Sequence, residues 1–148
     1  MNNSGNILNE SQQKGFKQFI DNGGGFVGIH GATTAEKEWE WYGRFIGRDF
    51  TAHPKIQTAE INVADKNFPA TYHLPQTWVL TDEWYEFTPA LSENLNVILT
   101  VDETTYNPVF ESQGKSYIGM GQNHPIAWYQ EMGKGRMFYT ALGHLEKA

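Results

Sequence analysis

The sequence contains no cysteine. That excludes disulfides, thiolate metal centres, iron–sulfur clusters and any mechanism with a cysteine nucleophile. Long apolar runs are also missing; none approaches the ~18–20 residues a helix needs to cross a bilayer. The first ten residues have neither the basic nor the apolar region of an export signal. The expectation is a soluble chain with no membrane partner. From this sequence it would be cytoplasmic; a periplasmic or secreted location stays open only for a longer precursor. Positive charge is scarce: 11 Lys+Arg face 17 Asp+Glu, for a net charge of −6. Binding a phosphate backbone needs clustered Lys and Arg, so nucleic acid is not an expected partner. GxSxG and GxxxxGK[ST] are both absent. There is no repeat at solenoid spacing.

Large rings are plentiful. Five Trp, seven Tyr and nine Phe in 148 residues can bury enough apolar area to offset chain entropy in one domain. A first helix is predicted over 10–21: Asn9 and Gln12 have capping-box spacing, Phe16, Phe19 and Ile20 form an apolar stripe, and Asn22-Gly23 stops it. Phe26-Val27-Gly28-Ile29 reads as a strand buried on both faces. A second helix is expected over 35–46, with Trp39, Tyr42, Phe45 and Ile46 inward. Strands follow at 55–63, 78–80 and 95–101, with a loop at 65–75. A hairpin at 126–131 and 136–142 turns at Gly133-Lys134-Gly135. This order predicts an α/β fold with a mixed sheet. Trp39-Glu40-Trp41-Tyr42 reads as core packing, and Gly23-Gly24-Gly25 as a helix stop that no phosphate-binding helix follows.

In open α/β sheets ligands gather outside the carboxyl ends of the strands. His30 falls there, in Gly28-Ile29-His30-Gly31-Ala32. The glycines give it the setting of a nucleophile elbow, with an imidazole in place of Ser or Cys. Read alone, it either enters a site or shapes a turn. His53, His73 and His124 lie in or beside proline-containing loops, and His144 follows the last strand. Their dispersed spacing contains no HxH or HxxxH pair and gives little zinc signal. Asp82-Glu83, between a strand and Trp84-Tyr85, can supply an acid and base or hold sugar hydroxyls. Neighbouring carboxylates on one strand point to opposite faces, so one of the two is expected in any pocket. Asp102-Glu103 has the same form and less support, reading as a solvated acidic turn.

Four strings in order, LNESQQKGFKQFIDNGGGFVGIHGAT, WYGRFIGRDFTAHP, TDEWYEF and HPIAWYQEMGKGRMFYTALGH, resemble the ThuA-like (trehalose utilisation) family. The resemblance covers about residues 6–144. It implies a flavodoxin-like, class I glutamine amidotransferase-like three-layer sandwich with a mixed, mostly parallel sheet. Family members are longer, so 1–148 is expected to be one partial domain, an internal portion of the family's fold. An exposed sheet edge would then be covered by a homodimer partner or by the missing segment. Amidotransferases need a thiolate, which this chain cannot provide. His124-Pro125-Ile126 also lacks the acid of their His-x-Glu.

The resemblance points to carbohydrate utilisation, with a disaccharide or modified sugar as the small-molecule partner. His30, His124, Asp82 and Glu83 are the expected catalytic groups, and Tyr85, His53 and His144 the expected substrate contacts. Two alternatives stand beside a sugar-processing, hydrolase-like enzyme. One is a metal-dependent hydrolase, with a divalent metal such as zinc as cofactor. The other is a non-catalytic sugar-binding or assembly module.

Overall fold

The computed structural model describes residues 1–145. Helix α1 (Glu10–Asp21) starts on the predicted capping box: the Asn9 side chain accepts the Gln12 N–H, and the Gln12 side chain accepts the Asn9 N–H. Strand β1 (Gly25–Ile29) follows, then a 3₁₀ helix (His30–Thr34) and helix α2 (Glu40–Ile46). The remaining strands are β2 (Phe50–Ala52), β3 (Gln57–Val63), β4 (Thr77–Asp82), β5 (Glu86–Phe87) and β6 (Asn96–Val101). They continue with β7 (Phe110–Ser112), β8 (Lys115–Tyr117), β9 (His124–Met132) and β10 (Gly135–Thr140). Among the described residues no helix is long and apolar enough to cross a membrane.

The main sheet runs β1-β10-β9-β6-β3-β4, and β2-β5 and β7-β8 form two small ribbons. The α/β class and mixed sheet hold. The expected parallel majority does not: β1 with β10 is the one parallel pairing in the main sheet, against four antiparallel ones. The cause is connection geometry. A parallel neighbour needs a long crossover, whereas Gly133-Lys134 closes β9 onto β10 directly. The short ribbons carry too few residues for periodicity to reveal them. On the outer edge of β1, the Met1 amino group donates to the Val27 carbonyl and the Ile29 N–H donates to the Met1 carbonyl.

Both helices cover the same face of the sheet. Phe16 of α1 meets Phe26 of β1 edge-on at 5.4 Å, and Trp41 and Phe45 of α2 at 6.0 and 5.8 Å. On the other face Phe68, from the 65–74 loop, stacks at 4.4 Å on Tyr129, and Val27 stays half exposed. Among the described residues, then, both helices lie on one face of the sheet and the loop carrying Phe68 lies on the other. Strand β9 secures α2 by its last carbonyls, which a helix leaves unpaired. Trp128 donates to Ile46 at 2.8 Å, and Gln130 to Arg44 and Phe45 at 2.7 and 2.6 Å.

The second helix is shorter than its apolar stripe suggests. Glu36 has a left-handed backbone (φ 51°), and its buried carboxylate accepts the Ile7 and Leu8 N–H groups and the Gln13 side-chain amide. That long-range demand overrides the local helical pattern, so α2 starts at Glu40.

Two glycines make opposite predictions. A Cβ on Gly135 would lie 2.5 Å from the Ile20 carbonyl oxygen at the end of α1, whereas one on Gly15 would meet nothing. Gly135→Ala should lower unfolding stability by about 1–3 kcal/mol through overpacking. Gly15→Ala should raise it by about 0.5–1 kcal/mol through helix propensity. Urea titrations of the two variants read both signs.

Candidate functional site

The turn after β1 forms the elbow that the glycines suggest. His30 has φ 42°, a left-handed conformation that costs a non-glycine residue about 1–3 kcal/mol. The surrounding core holds it there. The Tyr139 hydroxyl donates to the His30 carbonyl at 2.8 Å, and the Tyr42 hydroxyl to the Ala32 carbonyl at 2.9 Å. The His30 ring is fixed too. Its Nδ1 lies 2.7 Å from the Ala141 carbonyl, which can only accept, so Nδ1 carries the proton and Nε2 presents a lone pair. The Tyr85 hydroxyl donates to that lone pair at 2.7 Å. Burial, then the carboxylates of Glu83 and Asp82, raise the Tyr85 phenol well above its ordinary value, so it stays a neutral donor.

Three histidines from separate loops surround the buried Glu83 carboxylate. His30 Nε2 lies 3.3 Å and His144 Nδ1 3.2 Å from Glu83 Oε2. His53 Nε2 lies 3.6 Å from Glu83 Oε1. The His53 Nδ1 donates to the Pro54 carbonyl at 2.8 Å, so its Nε2 is also a lone pair aimed inward. Phe50 packs on the Tyr85 ring at 4.3 Å and gives the rim an apolar wall.

The other sequence-predicted residues lie around this centre. Asp82 is fully buried and does not face the pocket: one oxygen accepts the Glu83 N–H and the other the Gly143 N–H, each at 2.9 Å. Glu83 is thus the carboxylate of the pair that enters the pocket. His124 is fully buried behind Tyr85, outside the cluster. Its Nε2 donates to the Tyr85 carbonyl at 2.8 Å and its Nδ1 meets Glu103 at 2.7 Å. His73 is exposed beside Tyr72 and takes no part. Glu103 is the residue that the sequence conceals. It looks like an acidic turn, yet it also accepts the Met120 and Gly121 N–H groups. Nothing local could link it to His124, 21 positions away.

Chemically, the centre sets lone pairs against a carboxylate. An imidazole nitrogen and a carboxylate oxygen about 3.3 Å apart repel unless a positive species, a proton or a metal ion, lies between them. The site can therefore hold a cation, exchange a proton, or bind the hydroxyl groups of a polar ligand.

The comparison that decides the family is over the whole length. The ThuA family, described as trehalose utilisation, matches residues 1–148. The chain belongs to the ThuA family. A crystal structure described as a ThuA-like protein from Bacteroides uniformis superposes with a TM-score of 0.78 at 27% identity, covering 97% of this chain and 59% of that one. Another, from Parabacteroides merdae, gives 0.76 at 21% identity over 96% of this chain and 58% of that one. The fold alone is shared with a β-galactosidase from Bacillus circulans, at a TM-score of 0.56 and 14% identity, over 90% of this chain and 18% of that one. This ThuA chain spans less than two thirds of either ThuA-like structure. No curated protein matches it.

Asp82 joins the loop of Glu83 to the loop of His144, so it can be tested alone. Asp82→Asn replaces one acceptor oxygen with a donor that faces a backbone N–H. The variant should lose about 1–3 kcal/mol of stability, the usual cost of a buried donor left unpaired, as read from its urea midpoint. The His144 ring signals in NMR spectra should broaden or shift with it.

Proposed function

We propose that the pocket binds a hydroxyl-rich carbohydrate derivative and carries out acid–base chemistry on it. The observation that carries this reading is the convergence of His30, His53 and His144 on the single buried carboxylate of Glu83, at 3.2–3.6 Å. Sugar hydroxyls require both acceptors and donors, and this cluster offers both. Carbohydrate ring faces also pack on aromatic walls, as Phe50 and Tyr85 would allow. The family's link to trehalose utilisation supports the substrate class.

In this reading the centre of Glu83, His30 and His144 holds a substrate oxygen. His53, half exposed with its Nε2 unbonded, exchanges the proton with solvent. Tyr85 stays protonated and donates. His124 is a positioning residue: it fixes the Tyr85 carbonyl from behind and touches no substrate. Asp82 positions Glu83 in the same way.

A panel of disaccharides and their oxidised, keto-bearing derivatives tests the reading by calorimetry and product chromatography. Wild type should bind and convert at least one of them. Glu83→Gln should keep a native circular dichroism spectrum and lose about 10²-fold or more in turnover, the scale of a positioned acid–base group. Equal turnover in the two proteins would refute the assignment. Binding without turnover in wild type would make the domain a sugar-binding module.

A further inference from the structure

We propose that His30, Glu83 and His144 form a binding site for one divalent transition metal ion, with an open position facing the substrate. This deepens the carbohydrate reading and rests on it only for the role of the open position. One nitrogen from each ring and one carboxylate oxygen lie within 4.8 Å of one another.

Distances make the first argument. Zinc bonds to nitrogen and oxygen run about 2.0–2.1 Å, and a tetrahedron built on them has edges of about 3.3 Å. The His30–Glu83 and His144–Glu83 separations are 3.3 and 3.2 Å, so two edges are already of that length. The remaining edge closes by movement of the His144 ring, which is about two-fifths exposed and free to turn. Two histidines, one glutamate and an open position make a donor set that suits catalytic zinc.

Second-sphere bonding makes the second argument. A metal-binding imidazole usually donates its other N–H to a carbonyl or carboxylate, which fixes the ring and its tautomer. His30 does this through the Ala141 carbonyl at 2.7 Å. Asp82 holds the backbone of Glu83 on one side and of Gly143, beside His144, on the other. The His30 ring and the backbone that carries Glu83 and His144 are thus held in place before any ion arrives, and the His144 ring alone has to turn. A metal also supplies the positive charge that opposes the clash of lone pairs at the centre. His53 stays outside the ligand set, its Nε2 3.6 Å from the free Glu83 oxygen, where it can act on a bound water or hydroxyl.

One group competes with the metal. The Tyr85 hydroxyl occupies the His30 lone pair at 2.7 Å and must release it for the ion to bind. Removing that hydroxyl should therefore not weaken metal binding, which separates this ligand set from one that includes the phenol.

The test uses the full chain, stripped with a chelator and dialysed against zinc, with mass-spectrometric metal counting. Cobalt(II) replaces zinc for visible spectroscopy. Wild type and the remote control His73→Ala should each take up one ion per chain, and cobalt should give the intense d–d bands of a low-coordinate site. His144→Ala, a change at an exposed position, should weaken uptake by more than about 100-fold, beyond the loss typical of outer-sphere changes. Tyr85→Phe should bind as tightly as wild type or more tightly. Zinc should raise the melting temperature of wild type and not of His144→Ala. No stoichiometric uptake by wild type, or an unchanged cobalt spectrum in His144→Ala, would overturn the site. Sugar turnover that persists in chelator would overturn it while leaving the carbohydrate reading intact; a loaded protein that binds no sugar would do the reverse.

Discussion

Asp82 holds together the two segments that carry Glu83 and His144. Its buried carboxylate spends both oxygens on backbone N–H groups, one from Glu83 in its own turn and one from Gly143 beyond β10. Those segments lie 61 positions apart in the chain. The strands β4 and β10 also stand at separate places in the sheet. This bond ties the buried turn after β4 to the segment that follows β10. The Ala141 carbonyl extends the same junction to a third element by receiving the His30 N–H. The pocket is thus assembled by backbone groups that bind one another through side chains, and the histidines are carried into it.

The helix-capped start, the strand β1 (though as a half-exposed edge and not covered on both faces), the last hairpin and the elbow at His30 were legible because each is encoded by near neighbours: a capping box, an apolar run, turn glycines. The convergence of His30, His53 and His144 on Glu83 was not legible from spacing. Those contacts span three loops, and their partners lie tens of residues apart. The family resemblance pointed to the same positions without saying what they touch. It also suggested a mixed, mostly parallel sheet, and there the antiparallel pairings of β3, β4, β6, β9 and β10 outnumber the one parallel pair. The second helix shows the same conflict at small scale. An apolar stripe called for twelve residues, and a single buried glutamate with three long-range donors limited it to seven.

His124 lies fully buried behind Tyr85 and apart from His30, His53 and His144. Both its ring nitrogens face acceptors, the Tyr85 carbonyl on one side and the Glu103 carboxylate on the other. Taking an imidazole and a carboxylate out of water is costly unless every remaining lone pair and proton finds a partner. Glu103 meets that condition by also accepting the Met120 and Gly121 N–H groups. The satisfied pair then works as a rigid wall. It fixes the backbone of Tyr85, whose hydroxyl reaches His30 at the far end of the same residue. A ring committed on both sides has no nitrogen left for a substrate, whereas His53 keeps its Nε2 unbonded in front of Glu83. One histidine is thus satisfied and buried behind Tyr85, and three others lie around the Glu83 carboxylate.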